Sequence, residues 1–153
     1  MSFQIDMVKE ILDYSEKNGR EVVYIVYEDG RTCFLPLGFN GGIFRADIKD
    51  IKYILHTHTV PRYTPSLTDI LTAYRISRIK GTPIPLYTVS RINNKIIIYE
   101  IKVRPDADID TIIEKLKPIE SMIIKDIDMY SKIQHYKMLS RRDISITRYT
   151  ILE

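Results

Sequence analysis

Two histidines, a serine and an aspartate lie close together in the middle of the chain. His56 and His58 end the apolar, β-prone run 51–58, and Ser66 and Asp69 follow after a short spacer. Side chains two residues apart on a strand share one face, so both imidazoles can reach one ion. Two imidazoles and one carboxylate leave the fourth position of a tetrahedral zinc ion free for water, as in catalytic zinc sites. The arrangement therefore indicates hydrolysis.

A predicted helix must present the aspartate to the two histidines. Thr64-Pro65 is a turn signal, and apolar residues at helical spacing follow it, namely Leu67, Ile70, Leu71 and Tyr74. Ser66 is the predicted N-cap, and Ser66-x-x-Asp69 is close to a capping box. Taken alone, this tetrad indicates only a helix start. Capping and catalysis are compatible, because one helix start can orient Ser66 and Asp69 for both.

Together these residues resemble the signature of the JAMM (MPN-plus) metalloproteases. That signature is His-(Ser/Thr)-His, seven residues, Ser, two residues and Asp, and every one of these positions is filled here. His56, Thr57 and His58 match its first part, and Ser66 and Asp69 match its end. The resemblance implies that His56, His58 and Asp69 hold one Zn²⁺ per chain.

The resemblance also implies a general base and an oxyanion donor. In the family, a glutamate on an earlier strand takes a proton from the metal-bound water, and the serine helps to stabilise the tetrahedral oxyanion. Glu21, at the start of the first predicted strand, is the candidate glutamate, and Ser66 is the candidate serine. Glu28 is the alternative base, but Glu28-Asp29-Gly30 is typical of a hairpin turn and would place that carboxylate in solvent.

Two departures from the family pattern leave the branch of the superfamily open. Many members have Pro after the second His, where this chain has Thr59, and many have Gly soon after the glutamate, where it has Val22 and Val23. The second departure and the Pro-Ser-x-x-Asp-x-x-Thr run at 65–72 are similar to the RadC branch. The resemblance implies a metalloprotease or isopeptidase acting at the C-terminus of a ubiquitin-like protein. The alternative is a non-catalytic RadC-like or MPN-type binding or scaffold module associated with nucleic acid.

Composition favours one small domain in a reducing compartment. A chain of 153 residues that is 44% hydrophobic and 28% charged can bury a sizeable core. The net charge of +3 is too small to indicate nucleic-acid binding. The single cysteine, Cys33, has no partner for an internal disulfide, and no segment approaches the length of a membrane span. We therefore expect a cytoplasmic protein without a membrane partner, and the oligomeric state stays open.

The order of the predicted elements indicates an α/β fold with a mixed sheet flanked by helices. The resemblance implies that this is the JAB/MPN fold, which is similar to that of the cytidine deaminases. We expect a single domain over 1–153, with a core at about 2–104. The predicted core elements are a helix at 3–17 with Ser2 as N-cap, strands at 21–27, 31–37, 43–46 and 51–58, a helix at 66–80, and strands at 84–91 and 95–103 joined across Asn93-Asn94.

The remaining residues, 105–153, are expected to form an extension of two helical segments and a strand. Residues 108–137 are helix-prone, and Pro118 is predicted in the first turn of the second segment, where proline is tolerated. Alternation over 143–152 predicts a closing strand whose buried face the sequence does not define.

Overall fold

The computed structural model describes residues 5–36, 48–58, 64–122 and 143–153. Their elements follow one another as helix α1 (Ile5–Asn18), strands β1 (Val22–Tyr27) and β2 (Thr32–Pro36), a short 3-10 turn (Ile48–Asp50), strand β3 (Ile51–Thr57), helix α2 (Leu67–Lys80), strands β4 (Leu86–Ile92) and β5 (Lys95–Val103), helix α3 (Ile109–Met122) and strand β6 (Ile144–Leu152).

The six strands form one mixed sheet in the order β2-β1-β3-β4-β5-β6. Strands β3 and β4 are parallel, with His56 beside Thr88, whereas the other neighbouring pairs are antiparallel. A parallel pair needs a crossover connection, and α2 provides it. The mixed α/β class expected from the sequence is therefore confirmed.

The helices cover the two faces of the sheet. Helix α1 packs on one face, where Val8, Ile11 and Leu12 join Leu55 and Val89 in a buried cluster. Helices α2 and α3 pack on the other face in a second cluster that includes Ile70, Ala73, Ile112, Leu116, Ile54 and Ile101. The central strands β4 and β5 are consequently buried on both sides.

The connection from β3 to α2 leaves the sheet at the carboxyl end of its parallel pair. The backbone N–H of His58 donates to the carbonyl of Val89 at 2.8 Å, so the pairing extends past the end of β3. Ser66 caps α2, and Gly81 ends that helix in the left-handed conformation, with a φ of 81°. Ligands of open α/β sheets bind at the carboxyl ends of parallel strands. The fold therefore brings the end of the His-Thr-His strand and the start of α2 to the edge of the sheet where a ligand can bind.

Most local predictions agree with these elements. The hairpin across Asn93-Asn94 is confirmed, and both asparagines have a positive φ, at 48° and 63°. The closing strand is confirmed as β6, which buries Ile144 and Ile146. Cys33 is a free, partly buried cysteine packed against the core. The predicted Ser2 cap, the strand at 43–46 and the second helical segment of the extension lie outside the described residues.

The prediction for Pro118 was wrong. This proline lies inside α3, which continues to Met122, and does not begin a second helix. Proline in a helix interior costs about 3 kcal/mol, since it lacks the N–H for a helical hydrogen bond and crowds the preceding turn. Ile112 and Leu116 bury the preceding part of α3 in the core, at 4% and 0% exposure. The helix nevertheless continues through the proline, so this local signal does not decide where α3 ends.

No helix among the described residues combines the length and apolar character that a membrane span requires.

Candidate metal centre

Three side chains from two elements meet where β3 runs toward α2. His56 lies near the end of β3, His58 follows the strand, and Asp69 lies in the first turn of α2. One potential ligand atom from each lies within 4.8 Å of the others. The two imidazole rings are perpendicular, with centroids 4.7 Å apart. The structure thus brings together the three residues that the sequence spacing predicted as metal ligands.

Asp69 is a buried carboxylate, and both of its oxygens have polar partners. Its side chain is 4% exposed, and its Oδ1 and Oδ2 lie 2.9 Å from His56 Nδ1 and 3.0 Å from His58 Nε2. The backbone N–H and the hydroxyl of Ser66 both donate to Oδ2, at 2.8 and 2.9 Å. Burial acts to raise the pKa of Asp69, but the attraction of His58 and the hydrogen bonds from both imidazoles hold this pKa well below 3.8. Asp69 is therefore ionised at neutral pH and available as a ligand.

A backbone carbonyl fixes the orientation of His58. Nδ1 of His58 lies 3.1 Å from the carbonyl oxygen of Thr64, and a carbonyl can only accept. Nδ1 therefore carries the hydrogen, and Nε2 faces the ligand cluster. Histidine ligands commonly donate their second nitrogen to such a partner, which sets their tautomer and ring orientation.

His56 has a carboxylate at each ring nitrogen. Nδ1 faces Asp69, and Nε2 lies 3.1 Å from Oε2 of Glu21. Burial acts to lower the pKa of His56, but the hydrogen bonds and charges of Asp69 and Glu21 outweigh it and raise this pKa to about 10. His56 consequently competes for a proton more strongly than an ordinary histidine.

The two glutamates considered as general base lie in different surroundings. Glu21 precedes β1, with its carboxylate beside His56 and its side chain 40% exposed. Burial acts to raise the pKa of Glu21, but the hydrogen bond and charge of His56 and the charge of His58 lower it overall. Glu28 instead pairs with Lys80 at 2.6 Å. Of the two, only Glu21 is in contact with the histidine and aspartate cluster, and its role as a base stays a prediction.

Ser66 forms the capping box that its spacing from Asp69 indicated. The Asp69 N–H donates to Ser66 Oγ at 3.2 Å, and the Ser66 N–H donates to the Asp69 carboxylate. The same carboxylate accepts the Ser66 hydroxyl hydrogen. The residue proposed as oxyanion donor is therefore a helix cap that also orients a candidate ligand.

The cluster suits a metal ion in both chemistry and spacing. Two imidazoles and a carboxylate form the donor set of open zinc sites, with the ligand atoms about 3.3 Å apart around a tetrahedron whose metal–ligand bonds are about 2.0 Å. One ligand atom from each side chain lies within 4.8 Å of the others, and single oxygens of Asp69 lie 2.9 Å from His56 Nδ1 (Oδ1) and 3.0 Å from His58 Nε2 (Oδ2). His56, His58 and Asp69 can therefore hold a metal ion.

Sequence reasoning missed two supporting groups. One is the Thr64 carbonyl, for which a sequence carries no side-chain signal. The other is the hydroxyl of Thr57, the middle residue of the His-Thr-His motif. It lies 3.1 Å from the hydroxyl of Ser15, which is distant in the chain. The alternation of side chains along a strand would have placed Thr57 on the opposite face from His56, but not beside α1.

Comparison with known proteins shows no family. No family model and no solved structure matches the chain. A curated relative, the cyclic di-GMP phosphodiesterase PdeA of Borreliella burgdorferi, is 27% identical over 163 aligned positions. The alignment covers 93% of this chain but 24% of the relative, so the chain spans about a quarter of that protein's length.

Proposed function

We propose that this protein is a zinc-dependent hydrolase of the JAMM type, with a JAB/MPN fold. Its proposed substrate is the amide bond at the C-terminus of a ubiquitin-like protein. The observation that carries the proposal is the joint position of four side chains. His56, His58 and Asp69 present ligand atoms within 4.8 Å of one another, and the Glu21 carboxylate lies 3.1 Å from His56 Nε2.

Zinc is the proposed ion because imidazole and carboxylate ligands in an open tetrahedral site suit it. When bound, it supplies a Lewis acid for the scissile carbonyl and a water that is acidic near neutral pH. His56, His58 and Asp69 would hold it. His58 is already oriented for this task, since its Nδ1 donates to the Thr64 carbonyl.

Glu21 acts as the base in this proposal. A glutamate carboxylate is ionised at neutral pH, so Glu21 can accept a proton from the attacking water. Oxygen from that water then bonds to the carbonyl carbon, the C–N bond breaks, and Glu21 returns the proton to the leaving amine. The partial exposure of Glu21, at 40%, allows a substrate to reach it.

Ser66 donates to the oxyanion in this proposal. Its hydroxyl hydrogen points to Asp69 Oδ2 and must rotate away to reach a substrate oxygen. The rotation leaves Asp69 Oδ2 with the Ser66 N–H, which donates to it at 2.8 Å. The aspartate therefore remains held while the hydroxyl stabilises developing negative charge.

The first test is the metal content of protein purified without a histidine-rich tag, measured by elemental mass spectrometry. We expect about one zinc per chain, the ion that a set of three protein ligands typically holds. Asp69→Ala should lose it. The second test is cleavage of a ubiquitin-like protein whose C-terminal carboxyl is joined to a fluorogenic amine.

Glu21→Gln and Glu28→Gln form a matched pair for that assay. Removal of a general base typically costs about two to four orders of magnitude in rate, so Glu21→Gln should lose this much while keeping its zinc. Glu28→Gln should retain activity, because Glu28 pairs with Lys80 at 2.6 Å. Full activity in Glu21→Gln would eliminate the proposed base.

Two other outcomes lead to different functions. Cyclic di-GMP is included as a second substrate, since the relative named as its phosphodiesterase aligns with most of this chain. Zinc-dependent cleavage of cyclic di-GMP, with no cleavage of the amide, would replace the substrate class. A folded protein without metal would favour the non-catalytic RadC-like or MPN-type module.

A further inference from the structure

Two buried hydroxyls meet between α1 and the sheet. Ser15 lies on α1 and Thr57 lies on β3 between the two histidines, and their side-chain oxygens are 3.1 Å apart. Ser15 is 2% exposed and Thr57 is fully buried. Buried hydroxyls need hydrogen-bond partners, and the partners of this pair lie in the short segment around Glu21.

The two hydroxyls hold the peptide groups on either side of Glu21. The Val22 N–H donates to Thr57 Oγ1 at 2.7 Å, and Ser15 Oγ donates to the Arg20 carbonyl at 2.6 Å. Each hydroxyl has one hydrogen to give. Because Ser15 gives its hydrogen to Arg20, Thr57 must be the donor in the contact between the two hydroxyls. A continuous chain of hydrogen bonds therefore runs from one peptide that flanks Glu21 to the other.

These hydrogen bonds lie on the opposite side of the sheet from the candidate metal centre. Side chains alternate along a strand, so Thr57 faces α1 whereas His56 faces the α2 side. Val22 is likewise in the cluster with α1, and Val23 is in the cluster with α2. Ser15 and Thr57 are consequently too remote to touch a substrate, and they act on the backbone from which Glu21 extends.

We propose that Ser15 and Thr57 are positioning residues for the Glu21 carboxylate. The direction of a side chain follows from the two peptide planes that flank it, and these hydroxyls hold both. Glu21 needs such support because it lies just before β1 and outside the strand pairing. The inference rests on the proposed function, in which Glu21 is the base.

Strand β4 offers matched controls for the hydroxyls. Thr88 and Ser90 are fully buried, as Thr57 is and as Ser15 nearly is, but their hydroxyls have no hydrogen-bond partner within the described structure. Thr88→Val and Ser90→Ala therefore make the same chemical changes as Thr57→Val and Ser15→Ala. They do so without cutting a link to the Glu21 backbone.

The kinetic test compares these variants on zinc-loaded protein with the fluorogenic amide. A displacement of about 1 Å at a reacting group can cost about a hundredfold in rate. We expect Thr57→Val to lower kcat by about ten- to a hundredfold, with KM and zinc content unchanged, and Thr57→Ser to restore most of kcat. Ser15→Ala should lower kcat in the same way. Thr88→Val and Ser90→Ala should retain it.

A double variant separates positioning from a general loss of structure. If Thr57 acts through Glu21, adding Thr57→Val to Glu21→Gln should lower the residual rate no further. A further loss equal to that of Thr57→Val alone would overturn the inference, and so would a kcat of Thr57→Val equal to that of the unmodified protein. Full activity of Glu21→Gln would instead reject the base assignment of the proposed function.

A readout without substrate tests the same link. Hydrogen exchange of the Val22 amide, followed by NMR, should accelerate at least about tenfold in Thr57→Val and stay unchanged in Thr88→Val, because only Thr57 accepts from that amide. A crystal structure of Thr57→Val should show the Glu21 carboxylate displaced from its 3.1 Å contact with His56. Unchanged exchange with an unchanged contact would overturn the inference even if the amide probe is never cleaved.

Discussion

Each imidazole of the candidate metal centre has two nitrogens, and the partner of one limits what the other can do. His58 gives its Nδ1 hydrogen to the Thr64 carbonyl, so its Nε2 is the nitrogen that faces Asp69 and the ligand cluster. His56 lies between two carboxylates, those of Asp69 and Glu21, and these favour a hydrogen on both of its nitrogens. The two candidate ligands are therefore unequal, because two carboxylates face the nitrogens of His56, whereas one carboxylate and one carbonyl face those of His58.

That inequality predicts a strong pH dependence of metal affinity. The pKa of His56 is raised to about 10, so the protein stripped of metal carries a proton there at pH 7 and releases it when zinc binds. The affinity for zinc should rise with pH, by about tenfold per pH unit, as long as the pH stays below that pKa. Competition with a chromophoric chelator at pH 7 and 8, together with calorimetry in buffers of different ionisation enthalpy, measures both quantities.

Glu28→Gln is the control for this experiment, because Glu28 pairs with Lys80 and not with His56. It should release as many protons as the unmodified protein. Glu21→Gln removes one of the two carboxylates that raise the pKa of His56, so its zinc affinity should stop rising at a lower pH. An affinity independent of pH would show that no proton is held on His56.

At the scale of elements, the parallel pair β3–β4 contains a buried hydroxyl whose effect on stability can be measured. The hydroxyl of Thr88, which lies beside His56 in the pairing register, is buried without a hydrogen-bond partner among the described residues. An unsatisfied buried polar group costs about 1–3 kcal/mol. Thr88→Val removes it with nearly the same shape and should raise the free energy of unfolding by about 1 kcal/mol.

Urea denaturation of metal-stripped protein tests this, with Thr57→Val as the contrasting variant. Thr57 accepts from the Val22 N–H at 2.7 Å, so the same substitution there should lower the free energy of unfolding. Two identical chemical changes on neighbouring strands are thus expected to have opposite signs. Equal destabilisation by both would mean that the Thr88 hydroxyl has a partner in solution.

The elements that the sequence predicted well are those with local signals at their ends. Ser66 and Gly81 mark the two ends of α2, and Asn93-Asn94 supplies the positive φ values of a tight hairpin. Pro118 shows the limit of such signals, because α3 continues through it to Met122. Local propensity is a weak guide to where an element ends.

For the whole molecule, distance along the sequence separates the site residues that were predicted from those that were missed. His56, His58, Ser66 and Asp69 lie within one strand-to-helix connection, so their spacing alone implied their meeting. The link between Ser15 and Thr57 joins residues 42 positions apart. Both are small polar residues of common type, and only the docking of α1 on the sheet brings them together.

Another long-range link joins the ends of the described chain. Arg91 on β4 is 18% exposed, and its guanidinium contacts Asp13 and Glu16 of α1 and Glu153 beyond β6. The contact with Glu153 is bidentate, with Nε and one terminal nitrogen donating at 2.8 and 2.9 Å to separate carboxylate oxygens. Asp13 is 69% exposed, whereas Glu153 is 22% exposed. The three ion pairs should therefore contribute unequally to stability.

Burial and geometry decide which of these pairs matters. Exposed ion pairs contribute little, so Asp13→Asn should change the free energy of unfolding by less than about 0.5 kcal/mol. A bidentate, charge-assisted pair is stronger, and Glu153→Gln should lower this free energy by about 1–2 kcal/mol. Urea denaturation at low and high salt measures both variants, and salt should reduce the effect of Glu153→Gln only in part, because that pair is shielded from solvent. Equal effects of the two substitutions would show that Arg91 joins α1 and β6 through long-range charge alone, without the directed hydrogen bonds that distinguish Glu153.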